Sequence, residues 1–540
     1  MERNQIKEER MMMGTPIQNP ILPGFHPDPS ILRVGEDYYI ATSTFEWFPG
    51  VRIHHSKDLK NWSFIGSPLT RTSQLDMRGN MNSGGVWAPA LSWHDGTFYL
   101  IYTDVKQWHG AYKDAHNYLV TSESIMGPWS DPVYLNSSGF DPSLFHDDDG
   151  RKWLVNMFWD YRSGNHSFAG IVLQEFNEKE GRLTGLIKNI YRGTDIRLTE
   201  GPHLYKKDGW YYLLVAEGGT RYDHAATVAR SREIEGPYET DPYYPLLTSR
   251  GNDELSLQKA GHASLVETQN GEWYLAHLCG RPLRGKYCTL GRETALQKVL
   301  WTDDGWLRLA HGGHFPEEIV EGPELPESSV AQEPVRDDFE EPDLRVEWNS
   351  LRVPVDESWC SLTDAPGSLR LYGRESLASV HRQSLIARRQ TSFQCAFSTC
   401  VDFEPDTFQQ KAGLVVYYDT EDHVYLHITH HEEKGRVLQI LRTVNGQYEE
   451  LLLPPLRIAQ AGAVELKGAI DFDTLLFYFR EESDQEWKQI GPRLSTLHMS
   501  DDALEKVRFT GTFIGMACQD YSGSRQSADF DFFDYDIQGQ

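Results

Sequence analysis

A turn followed by an aromatic-rich strand recurs five times in the N-terminal part of the chain. The copies are Gly35-Glu-Asp-Tyr-Tyr-Ile-Ala, Gly96-Thr-Phe-Tyr-Leu-Ile-Tyr, Gly150-Arg-Lys-Trp-Leu-Val-Asn, Gly209-Trp-Tyr-Tyr-Leu-Leu-Val and Gly271-Glu-Trp-Tyr-Leu-Ala-His. Their glycines stand 61, 54, 59 and 62 residues apart. A glycine turn leading into β-branched and aromatic residues marks a hairpin, and stretches of helical period are scarce between the copies. A period near 60 residues with several strands per copy fits one blade of a β-propeller, whose sheets pack radially around a channel. The pattern therefore predicts an all-β chain opening with a five-bladed β-propeller over residues 1–311.

Just upstream of each turn lies a second recurring segment: Asp28-Pro-Ser-Ile, Trp87-Ala-Pro-Ala-Leu, Asp141-Pro-Ser-Leu, Glu200-Gly-Pro-His-Leu and Gly261-His-Ala-Ser-Leu. If these are the innermost strands, Asp28, Trp87, Asp141, Glu200 and His262 meet at one mouth of the channel. A single Asp-Pro is ordinarily a turn or a strand-start cap. Three carboxylates at matched blade positions are another matter, because crowded like charges resist ionisation and must be compensated.

The repeat ends near Trp301–Leu309, and residues 312–335, rich in Pro and Glu, read as an extended linker. Residues 336–540 alternate apolar and polar positions, as in Gly413-Leu-Val-Val-Tyr-Tyr and His423-Val-Tyr-Leu-His-Ile, which predicts a two-sheet β-sandwich of jelly-roll or concanavalin-like type. Asp337, Asp338, Asp529 and Asp531 are candidates for an oxygen site holding a structural calcium ion, against the plainer reading of solvated edge carboxylates. The run Asp147-Asp-Asp-Gly150 lacks the later Glu of a calcium loop and reads as a solvated hairpin turn. His54-His55 and His430-His431 have no metal-ligand spacing with other residues, so no metal ligand is assigned.

A formal charge of −27 with no offsetting basic cluster disfavours nucleic acid as a partner. The longest apolar runs fall far short of the ~20 residues of a membrane span, so no membrane partner is expected. Met1–Met13 lacks the apolar core and cleavage site of a secretory leader, and the chain reads as cytoplasmic. Six thinly spread cysteines, without a Cys-x-x-Cys pair, read as buried free thiols. Aromatic residues make up 12% of the chain, with 15 Trp, an excess of flat apolar faces that suits sugar rings.

Hydrolysis of a glycosidic bond needs one protonated carboxyl for the leaving oxygen and one carboxylate acting on water or as nucleophile. Asp28 and Glu200 can supply that pair, with Asp141 near enough to raise the acid's pKa. The motifs His26-Pro-Asp28-Pro-Ser, Thr42-Ser-Thr-Phe-Glu-Trp-Phe-Pro-Gly50, Gly85-Val-Trp-Ala-Pro-Ala90, Asp141-Pro-Ser, Thr199-Glu-Gly-Pro-His203 and Leu290-Gly-Arg-Glu-Thr294 resemble those of the β-xylosidases of glycoside hydrolase family 43. The resemblance spans nearly the whole chain. It implies a five-bladed propeller followed by a β-sandwich and an inverting, exo-acting enzyme that releases terminal xylose from β-1,4-xylo-oligosaccharides, with α-L-arabinofuranosidase activity as a second expectation.

In site terms the resemblance implies Asp28 as general base, Glu200 as general acid and Asp141 as the carboxylate that tunes and positions the acid. Phe45, Trp87 and Trp159 would wall the sugar pocket, and His262 and Arg292 would complete its polar side. Glu293, beside Arg292, is expected to hold that guanidinium. The sandwich would lend a loop to the pocket, carrying Phe509 or Phe513. No cofactor is implied for the chemistry, and a dimer or tetramer is. A non-catalytic glycan-binding protein is the alternative, in which the same aromatics stack sugars and the acids only accept hydroxyl protons. A propeller scaffold for protein partners is a third reading, against which the converging acids speak.

Overall fold

A computed structural model of the chain describes residues 14–331, 333–482, 484–503 and 507–537; the reading of Met1–Met13 lies outside them. Among the described residues the regular structure is strand throughout. Five antiparallel sheets follow one another along the chain, as the repeat predicts. Their innermost strands are Ser30–Val34, Gly85–His94, Ser143–His146, Glu200–Lys207 and Gln258–Glu267, and each sheet runs outward through strands in order of sequence. The five repeat glycines sit at the first hairpin of each blade with φ between 65° and 84°, a backbone conformation that glycine adopts without strain.

Serines in three of the motifs, Ser30, Ser143 and Ser264, pin neighbouring blades. The Ser264 hydroxyl of blade 5 donates to Pro29 O of blade 1 (2.7 Å) and accepts from Ile31 N (2.9 Å). Ser30 accepts from Leu91 N of blade 2 (3.0 Å), and Ser143 of blade 3 donates to Pro202 O of blade 4 (2.6 Å). Asp147 departs from the solvated turn expected of it. It is buried, and it ties blade 3 to blade 4 by accepting from Lys206 Nζ (2.6 Å) and Tyr211 OH (2.8 Å).

The segment 312–335 is more than a linker. Within it Ile319–Gly322 pairs antiparallel with Gly14–Gln18, and the Asn19 amide bonds both backbone groups of Leu296 in blade 5, each at 2.8 Å. These contacts fasten the two ends of the propeller chain beside the last blade.

The C-terminal region is a sandwich of an eight-stranded and a seven-stranded antiparallel sheet. Strand Gln410–Asp419 belongs to the seven-stranded sheet. Its Leu414, Val416 and Tyr418 enter the core between the two sheets, while Val415 and Tyr417 enter a different core shared with Phe25, Phe45 and Trp47 of the propeller. Side chains alternate across a strand, so a sheet covered on both faces needs apolar residues at every position, which is why this stretch reads as an unbroken apolar run. Trp47–Phe48 also pairs with Ser350–Leu351 across the junction, and Trp47 stacks on Phe513 with ring centroids 3.7 Å apart.

Asp337 accepts from Trp348 Nε1 (2.8 Å), Asp529 pairs with Arg370 (2.7 Å) and Asp531 accepts from Ser368 (3.0 Å). These carboxylates are spent on protein donors, and among the described residues no cluster of His, Cys, Asp and Glu stands ready for a metal, so the calcium reading is set aside. The six cysteines are unpaired, and all except the half-buried Cys400 are buried.

Candidate active site

Five residues at matched positions have positive φ: Asp28 (57°), Ala88 (21°), Asp141 (53°), Gly201 (55°) and His262 (42°). The first four precede proline; Asp28 and Asp141 lie two residues ahead of their innermost strands, and Ala88, Gly201 and His262 lie within theirs. The sequence aligned the blades on Trp87 and Glu200, whereas the backbone aligns them on Ala88 and Gly201. Trp87 and Glu200 therefore lie one residue earlier than Asp28, Asp141 and His262. Non-glycine residues in this region cost about 1–3 kcal/mol each, a strain that gathers at functional sites. Glycine at 201 has a further reason: a Cβ there would stand 3.0 Å from the His262 ring. Its N–H meanwhile donates to Asp141 Oδ2 (3.2 Å).

Nine of the residues singled out in the sequence line one cavity of about 410 Å³: Asp28, Asp141 and Glu200, with Phe45, Trp87, Trp159, His262, Arg292 and Phe509. Asp28 Oδ2 accepts from the Ser43 hydroxyl (2.7 Å), and its Oδ1 accepts from Arg292 Nη1 (3.1 Å) with His262 Nδ1 at 3.6 Å. Burial works to raise the Asp28 pKa, but Arg292, His262 and the Ser43 bond outweigh it and hold the group below the ordinary carboxylate range. Glu200 is in the opposite condition. Burial first, and then the charge of Asp28, push its pKa up to about 8 against the pull of Arg292 and Lys113, and its Oε1 has no protein partner. Burial and the charges of Glu200 and Asp28 also raise Asp141 well above the usual value. One carboxyl is thus held ionised beside two that favour the proton.

Arg292 is positioned differently from expectation. Its carboxylate partner is Asp28, while Glu293 bonds Arg281 (2.7 Å) and Gly24 N (2.8 Å). Gly291 before it lies against Gly511 of the sandwich, 2.8 Å from where its Cβ would be, so a side chain there would part the two domains. The second Arg292 nitrogen donates to Phe509 O (3.1 Å), and Phe509 N donates to Ser83 Oγ (3.0 Å). Phe509 is thereby delivered from the sandwich to the pocket, where its ring meets Trp87 at 5.4 Å and Phe45 at 6.0 Å between centroids. Phe513, the other candidate, is fully buried against Trp47 and forms the base beneath this arrangement.

Trp108, Lys113, Phe140, Phe168 and Val507 also line the cavity and were not foreseen. Trp108 and Lys113 lie between the second and third strands of blade 2, outside any repeated motif, and so carried no signal. Lys113 Nζ lies 4.3 Å from the centre of the Trp159 ring, and burial lowers its pKa to about 8. Ser43 was in a quoted motif, but only its contact with Asp28 reveals a role.

Known proteins resemble the chain along nearly its whole length. Residues 17–307 match the model of glycosyl hydrolases family 43, and residues 336–536 match that of the beta xylosidase C-terminal concanavalin A-like domain. The chain is 52% identical to a protein named beta-xylosidase from Bacillus subtilis, covering 96% of this chain and 99% of that one. It is 51% identical to xylosidase/arabinosidase 43B from Humicola insolens, covering 96% and 97%. The crystal structure of xylan beta-1,4-xylosidase from Bacillus halodurans superposes with a TM-score of 0.96 at 70% identity, over 96% of this chain and all of that one. With a strained inner ring, a pocket of opposed carboxyls and a sandwich that completes its wall, the chain belongs to glycoside hydrolase family 43.

Proposed function

We propose that the enzyme removes single terminal xylose units from β-1,4-xylo-oligosaccharides by direct displacement with water, with Asp28 as base and Glu200 as acid. The observation that carries this reading is the contrast between the two groups: Asp28 is kept ionised by Arg292 and His262, and Glu200 is kept protonated by burial and by Asp28. Asp28 takes a proton from water as the water oxygen bonds to the anomeric carbon. Glu200 gives its proton to the glycosidic oxygen as that carbon–oxygen bond breaks. Asp141, which accepts from Gly201 N beside the acid, is assigned to positioning it, being itself raised well above the usual carboxylate range by burial, Glu200 and Asp28. Exchange with solvent afterwards restores both groups.

The aromatic wall of Phe45, Trp87, Trp159 and Phe509 suits the flat faces of a pentose, and closure by the sandwich favours a chain end over an internal unit. Because Humicola insolens 43B is named xylosidase/arabinosidase, we assign α-L-arabinofuranosides as second substrates. The chemistry needs carboxyls and water alone.

The test is hydrolysis of an aryl β-xyloside and an aryl α-arabinofuranoside followed by NMR, beside Glu200→Ala and Asp28→Ala. Inversion requires α-xylose as the first product, and appearance of the β-anomer first would overturn the displacement. Loss of the acid should cost about 10²- to 10⁴-fold in rate. Near-normal turnover by Asp28→Ala would remove Asp28 from the role of base, and sugar binding without any product would favour a glycan-binding protein.

A further inference from the structure

A second cavity, of about 550 Å³, lies where blade 1 meets the sandwich, and it shares no residue with the pocket around Glu200. His26, Arg52, His54, Glu347, Arg388 and Arg389 line it. Four of their nitrogens are buried without a hydrogen-bond partner: His26 Nε2, His54 Nδ1, Arg52 Nε and Arg389 Nη2. The side chains that carry them are only 4–6% exposed. Four unpaired nitrogens, two of them on guanidiniums, carried by residues that line a single cavity are costly unless something partners them.

Among the described residues neither Arg52 nor Arg389 donates to a carboxylate, although Glu333 and Glu347 act on the Arg52 charge and, with Asp536, line the cavity. Arg52 lies 3.4 Å from the centre of the Phe64 ring and forms no ion pair among the described residues. Arg389 spends Nε on Phe25 O (2.7 Å) and Nη1 on Asn349 Oδ1 (3.0 Å), both neutral acceptors. Arg388 is already paired, with Glu333 at 2.6 Å. Burial brings Arg52 down to about 10, and burial together with Arg52 holds Arg389 well below its ordinary range. One carboxylate oxygen, Glu347 Oε2, is also buried and unpartnered. It asks for a donor; the two guanidinium nitrogens can only donate, whereas His26 Nε2, whose ring donates through Nδ1 to Pro23 O (3.1 Å), accepts. A bare halide would leave Glu347 unsatisfied, whereas an oxyanion that retains a proton presents acceptors to the guanidiniums and one O–H to the carboxylate.

We propose that this cavity is a binding site for a small oxyanion of the hydrogen-phosphate class. It joins blade 1 (Arg52, His54) to the sandwich (Arg389) and to His26, two residues ahead of Asp28. An occupant therefore braces the chain that enters the strained inner ring from outside the sugar pocket. The inference is independent of the substrate proposed above.

Calorimetric titration of the full-length enzyme with inorganic phosphate, at constant ionic strength set with chloride, tests it. Saturating xylose is included so that ions binding at Arg292 and Lys113 in the sugar pocket are displaced. The expected result is one saturable site per chain, weakened roughly tenfold or more by Arg52→Met, which removes one charged partner. His54→Asn, also expected to weaken binding, decides the matter if Arg52→Met does not fold. Absence of saturable heat, binding abolished by xylose, or unchanged affinity in the folded variants would each overturn the proposal and leave a water-filled cavity.

Discussion

Asp28 and Glu200 share a cavity but not an electrostatic environment, and the difference sets the pH range of catalysis. The rate should fall as pH rises through about 8, where Glu200 loses the proton it must donate, while the acidic limb should lie below the ordinary range because Asp28 is lowered. With Arg292→Gln the burial of Asp28 is no longer outweighed, so that acidic limb should move up by about 1–3 pH units. A pH profile of kcat/KM for both enzymes measures it, and an unmoved limb would show that Arg292 does not govern the base. At this scale the acids were legible because Xaa-Pro motifs repeat, and the pocket aromatics because of the family resemblance. The one-residue offset of Glu200 was not, since a positive φ leaves no mark on residue type: alanine, aspartate and histidine all occupy the position.

Among the elements, the part of the sandwich that leads to Phe509 makes two buried charge contacts. Arg508 pairs with Asp422 and donates to Ser500 O (2.9 Å), while Asp502 reaches Lys259 on the innermost strand of blade 5 at 2.6 Å. Lys259 is fully buried. Replacing only its partner, by Asp502→Asn, strands that charge and should cost ~3–5 kcal/mol, whereas Lys259→Met with Asp502→Leu should cost far less. Chemical denaturation of the three proteins decides it, and equal losses in single and double variants would argue against a stranded charge. Nothing in the sequence pointed to this pair, because its members are separated by 243 residues and belong to different domains. Phe509 itself was one of two candidates, and only the stacking of Phe513 on Trp47 separates wall from base.

For the molecule as a whole, the sandwich is part of the propeller's core rather than an appendage. A chain ending after Val335 would expose Phe25, Phe45 and Trp47 on a single face and lack Phe509. It should express as an insoluble or aggregating species without glycosidase activity, which size-exclusion chromatography and the aryl xyloside assay would show; a soluble, active monomer would refute this. The blade count was legible because each blade repeats a local hairpin, and the sandwich because its strands alternate. The fastening of the propeller's ends was not, because Ile319–Gly322 is short, lies among prolines and acids, and finds its partner some 300 residues away. That fastening has a consequence for how the ring comes apart. Among the described residues no blade borrows a strand from the other end of the chain. Blades 1 and 5 meet instead through Ser264, Asn19, backbone bonds at Leu22–Thr294 and His26–Arg292, an apolar cluster that joins Ile31 and Tyr38 to Val266 and Tyr274, and a short outlying ladder. The circle is clasped rather than welded, and it can part at one joint with every sheet intact, directly beside the aspartate that must stay aligned for water to be activated.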